Sequence, residues 1–236
     1  MNPYERARRM FPLHPFREAV EKAISTEQLK AFATKADPEI LLGLAMLAQA
    51  ENPVRKELSH LAGRAKAEYA PVIALLPLML DGVDENSVGE LITRDPDNAL
   101  GYYLQGNLLY QAGQQREALD AFRKAARCPE MRLYNAITSD ALFKSVDELN
   151  FQGEDRLCAL SWMAARLQNF SSAALQWLQM SLSEMATASD LATRKEISDL
   201  LLVLAGHLFA TSFGNHWFGE RASGIGLQSQ SRSGGG

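Results

Sequence analysis

The sequence predicts an all-α protein made of antiparallel helix-turn-helix pairs stacked on one another, and three observations carry that prediction. Apolar residues recur at helical spacing in one segment after another from Phe16 onward. Cap-like dipeptides punctuate the chain at Asp37-Pro38, Asn52-Pro53 and Asp95-Pro96. One stretch, Ala99 to Arg127, carries two helical patterns that face each other across a short turn.

Within that stretch Tyr102, Tyr103, Leu104, Leu108 and Leu109 set the first pattern around Gly106; Ala118, Leu119, Ala121, Phe122, Ala125 and Ala126 set the second. Gly113 supplies a positive-φ stop between them, and a turn this short makes the helices antiparallel. Gly106 and Ala118 are small where the two would cross closely, and Tyr102 and Phe122 are large where the crossing is expected to open.

That order of sizes resembles a tetratricopeptide repeat (TPR), a helical hairpin of 34 residues that stacks into an α-solenoid. Tyr102 stands at the family's first aromatic, Gly106 at the glycine of the first helix, Ala118 at the second-helix alanine, Phe122 at its aromatic and Ala125 at the last small residue. Leu109 replaces a tyrosine, Gln105 stands where a leucine precedes the glycine, and the closing proline, Pro129, comes one place early. The clear repeat spans 99–130, with Asp95-Pro96-Asp97-Asn98 as the kind of tract that joins such repeats. The resemblance implies a binding face along the first helix, whose candidates are Tyr103, Asn107 and Tyr110. Asn107 matches the position where some members grip the backbone or carboxylate of an extended peptide. Those members carry a basic residue four places earlier, where this chain has Tyr103.

The other elements follow in order. Phe16 to Ile24 and Leu29 to Ala33 give two short stripes. Asp37-Pro38 opens a strongly apolar helix with Ile40, Leu41, Leu44, Ala45 and Leu47, and Asn52-Pro53 opens its partner with Leu58, Leu61, Ala62 and Ala65. Pro71 opens a further helix, in which Pro77 predicts a kink or an early stop before Asp81-Gly82. Asp84 and Asn86 begin a short amphipathic helix that ends before Asp95. Beyond the clear repeat, Met131 to Leu149 reads as a helix without a turn partner. A pair carrying Trp162 and Trp177 follows, and then an apolar helix from about Asp190 to Phe213. The last reads as a buried end-cap, because its apolar run of 17 residues from Ile197 to Phe213 contains Asp199 and His207 and is short for a membrane span.

The organisation expected is an N-terminal arm over 1–15, one helical-repeat domain over 16–213 and a flexible Gly/Ser/Gln-rich tail over 214–236. The arm leads into Pro12 and Pro15 instead of an apolar run, which argues against a secretory signal. Hydrophobic residues at 47%, charged residues at 22% and a net charge of −4 describe an ordinary globular chain without the basic footprint of a nucleic-acid binder. Two cysteines, Cys128 and Cys158, read as reduced thiols and favour the cytoplasm.

Chemistry is sparse. Glu57 and His60 form a single Glu-x-x-His, and a dimetal site needs a second such pair and more carboxylates. There is no Gly-x-Ser-x-Gly, phosphate-binding loop, Cys-x-x-Cys or His-Glu-x-x-His. The sequence therefore predicts a non-catalytic scaffold or adaptor, without metal or cofactor, that binds a peptide or helix of another protein. Self-assembly through the stack ends and the 197–213 helix is the alternative, and an all-helical enzyme without a recognisable motif is the third.

Overall fold

The computed structural model describes residues 37–47, 53–150, 156, 176, 178–187 and 189–214. The arm, the stripes from Phe16 to Ala33, most of the pair around Trp162 and Trp177, and the tail beyond Gly214 lie outside them. Among the described residues all regular structure is helical: α1 (Pro38–Leu47), α2 (Pro53–Ala65), a 3-10 turn (Ala67–Tyr69), α3 (Ala70–Leu80), α4 (Glu85–Arg94), α5 (Ala99–Gln111), α6 (Gln115–Arg127), α7 (Asn135–Glu148), a helical segment over 178–187, and α8 (Leu191–Gly214).

Side chains named by the sequence start these helices. Asp37 Oδ1 accepts from the Glu39 amide at 3.2 Å, Asp84 Oδ1 from those of Asn86 and Ser87 at 3.0 Å each, Asn98 Oδ1 from Leu100 at 3.1 Å, and Asp190 Oδ1 from Thr193 at 2.9 Å. Each satisfies an amide that the first helical turn leaves without a partner. The Ser87 hydroxyl and amide also hold the Asp84 carboxyl below its ordinary value. Pro77 lies three residues from the end of α3, and its carbonyl accepts from the amides of Asp81 and Gly82, so the helix stops one turn later, as expected.

The helices pack as consecutive pairs, α1 with α2, α3 with α4 and α5 with α6, and α4 joins the second pair to the third. The α5–α6 hairpin turns at Gly113, whose φ of +79° suits glycine. Its crossing differs from the expected one in a detail of size. A β-carbon on Gly106 would stand 2.6–2.9 Å from the Phe122 ring, so the ring occupies the space the glycine leaves. The crossing does not open at Phe122; the aromatic ring of α6 is seated on a glycine of α5. Tyr102 is only half-buried, and the aromatic fully enclosed is its neighbour Tyr103.

α7 corrects the sequence reading at its start. It begins at Asn135 instead of near Met131: residues 131–134 form no helix, and Tyr134, just before α7, has a left-handed backbone with φ +55°. The Asn98 side chain donates to the Arg132 carbonyl at 3.0 Å and accepts from its amide at 2.9 Å, while the Ala99 amide bonds to the Glu130 carbonyl at 2.9 Å. Buried Asp95 adds an ion pair with Arg132 at 3.3 Å and a hydrogen bond from the Tyr134 hydroxyl. The joining tract before α5 thus clasps the exit of α6. Its packing partner is distant in the chain: α7 returns to α1 and packs along it. Covered by α2 and α7, α1 is buried continuously from Leu41 to Leu47, which explains a helix apolar all round.

Candidate interaction surface

The face of α5 that carries Tyr103, Asn107 and Tyr110 is where the sequence predicted contact with a partner, and side chains of the chain itself lie against it. Tyr103 and Asn107 are both 0% exposed. The Asn107 Oδ1 accepts from the Ser181 hydroxyl at 2.5 Å, across 74 residues. One turn further along α5, half-buried Tyr110 donates to Glu184 Oε2 at 3.0 Å. Ser181 and Glu184 are three apart on a helix and so lie on the same side of it. Leu178, Leu182 and Met185, at 0–4% exposure, supply the apolar face of that helical segment. Tyr103 and Asn107 thus touch residues of their own chain.

Tyr103 meets the second covering element, α8. Its hydroxyl lies 3.1 Å from His207 Nδ1, and His207 Nε2 lies 3.2 Å from the Cys128 carbonyl. A carbonyl only accepts, so Nε2 carries the proton, and in the neutral imidazole Nδ1 accepts from Tyr103. His207 therefore ties α8 both to α5 and to the end of α6. The Tyr103 ring packs at 6.5 Å from Phe122 and edge-on at 5.9 Å from His207, and burial pushes its phenol well above the ordinary range. Further out, Arg123 on α6 grips Glu196 on α8 through two parallel bonds of 2.6 and 2.8 Å, which hold the Glu196 carboxyl below its ordinary value.

No known protein family, characterised protein or solved structure matches the chain. What the surface can do therefore rests on its own chemistry. It offers an amide, a phenol and a guanidinium in a row on α5 and α6, each already bonded to a side chain from 178–214. One polar atom is left over: Asn107 Nδ2 is buried and has no hydrogen-bond partner among the described residues. No group of three or more His, Cys, Asp or Glu among the described residues is arranged to hold a metal. No described helix is long and apolar enough to cross a membrane.

Ser181, Glu184, Glu196 and His207 were not legible as contact residues, since their partners stand 73–104 positions away. A single histidine inside the apolar run of α8 was the one available signal. A polar ring at that place needs a partner, and here it has one on each side. α8 also departs from a buried end-cap: Ile197, Leu200 and Leu204 are buried, whereas Leu191 is 83% and Leu202 72% exposed on the other side.

Proposed function

We propose that this chain is a non-catalytic interaction module of the tetratricopeptide type, a scaffold or adaptor that seats a helix of another protein along α5. The observation that carries the reading is that α5 already seats a helix, the 178–187 segment, through Asn107 and Tyr110. Two side chains chosen for contact because of the repeat pattern thus make helix-to-helix hydrogen bonds in the chain itself. The Gly106–Phe122 packing and the Gly113 turn support the repeat assignment at 99–130, and the consecutive pairing of α1 through α6 supports a stack. The return of α7 to α1 would close that stack on one side instead of leaving it an open α-solenoid. A cytoplasmic setting, with reduced Cys128 and Cys158, belongs to the same reading.

Capture from host extract by the unaltered chain, against Asn107→Ala and Tyr110→Phe, tests it. Loss of the same captured protein in both variants is the expected result; unchanged recovery in both would remove α5 as the contact. A second reading, homo-oligomerisation through α8, is favoured by the exposure of Leu191 and Leu202. Light scattering on the unaltered chain and on Leu202→Glu decides it: a monomer at every concentration rules self-assembly out.

A further inference from the structure

The contacts on α5 specify more than a site, and the inference here rests on the interaction reading above. We infer that residues 178–187 are an internal occupant of the α5 face, a stand-in that an outside helix of matching chemistry displaces. Three features of the contact point that way. The hydrogen bonds are few and come at a fixed spacing, Ser181 on Asn107 and Glu184 on Tyr110. The outer side of the segment faces solvent, with Met180 51% exposed, so the segment is covered on one side only. The fit is incomplete, because Asn107 Nδ2 remains buried without an acceptor among the described residues. A buried donor without a partner is destabilising, and an incoming helix that supplies the missing acceptor gains over the resident one.

The segment also states what the outside helix looks like. It carries apolar residues at the spacing of Leu178, Leu182 and Met185, a small hydroxyl residue at the place of Ser181, and an acidic residue three further on. A side-chain carbonyl or carboxylate next to the hydroxyl would meet Asn107 Nδ2. The partner is therefore an amphipathic helix of a second protein with an acidic edge. Regulation follows from competition: if the internal segment is seated 99% of the time, the outside helix binds about 100-fold more weakly than to an open face.

Native-state hydrogen exchange on the full, unaltered chain tests the occupant directly. Central amides of 178–187 opening at least about tenfold more readily than those of α5 and α6 is the expected result. Equal protection means that the segment leaves only when the hairpin unfolds; it overturns the inference and leaves the interaction reading standing. A second measurement uses a fluorescein-labelled peptide with the sequence of residues 176–190. The full chain carrying Ser181→Arg and Glu184→Lys should bind it at least about tenfold more tightly than the unaltered chain. A peptide bearing Glu184→Lys should lose most of that gain. Equal affinity of both proteins overturns the inference. Separate opening in exchange with no peptide bound by the altered chain removes the α5 face itself, and the inference with it. Should the altered chain not fold, hydrogen exchange decides alone.

Discussion

Helix α7 reaches α1, and the 178–214 region reaches α5 and α6, over comparable lengths of chain, yet the two junctions are built differently. On α1, Gly43 lets α7 approach until a β-carbon there would stand 2.1 Å from both the Ala141 carbonyl oxygen and Ser145 Oγ. Ser145, 105 residues from Ile40, lies 2.9 Å from the Ile40 carbonyl, and Lys144 pairs with Glu39. Leu142 and Val146 are fully buried beside the continuous core of α1. On α5 and α6, by contrast, the helices are held by one buried apolar stripe each, Leu178, Leu182 and Met185 and then Ile197, Leu200 and Leu204, and by a few polar side chains, and their far sides are in solvent. The difference teaches how two parts of one core are closed. An interlocked crossing has no partial state, because backbone meets backbone; a junction of side-chain contacts can be undone one contact at a time.

Substitutions along the two junctions should separate them by size of effect. Gly43→Ala forces α1 and α7 apart and should cost about 3 kcal/mol or more in urea unfolding, since overpacking against backbone cannot be relieved by a rotamer. A loss below about 1 kcal/mol would mean that the crossing is loose and the contrast wrong. Gly106→Ala meets the Phe122 ring, which can tilt, so about 1–3 kcal/mol is expected. Tyr103→Phe removes the hydrogen bond to His207 but keeps the packing, and should cost about 1 kcal/mol, with exchange quickened in α8 more than in α1. Glu196→Gln should have the smallest effect, below about 1 kcal/mol, because both partners of the Arg123 pair are more than a third exposed and screened.

The Glu196 effect has a defined pH window. Its carboxyl is held below the ordinary value of 4.5 in the folded chain, so its contribution is complete above that value and is lost as the pH falls through the lower folded value. The stability gap between the unaltered chain and Glu196→Gln should therefore be present at neutral pH and close in strong acid. A gap that persists there would show that the side chain acts through packing instead of charge.

Local signals made the helices legible. Asp37, Asp84, Asn98 and Asp190 cap helices where the sequence marked starts, and Gly113 turns the hairpin where a positive φ was expected, because capping and turn chemistry depend on residues within three or four positions. The same locality explains the misplacement of the α7 start. Met131 and Leu133 are buried and match a helical stripe, but the residues that hold this stretch out of a helix, Asp95 and Asn98, belong to a tract before α5.

The sequence by itself determined the helical class, most helix boundaries and the Gly106–Phe122 hairpin, all of which are set by periodicity, caps and side-chain size over short spans. Only the tertiary structure decided that α7 lies on α1, that Phe122 fills the space above Gly106, and that Tyr103, Asn107 and Tyr110 face the chain's own helices. Those outcomes turn on which apolar face finds which partner across a hundred residues. Helical faces carry apolar area in common and differ in a few small or polar side chains, so pairing is settled by the fit of the assembled whole.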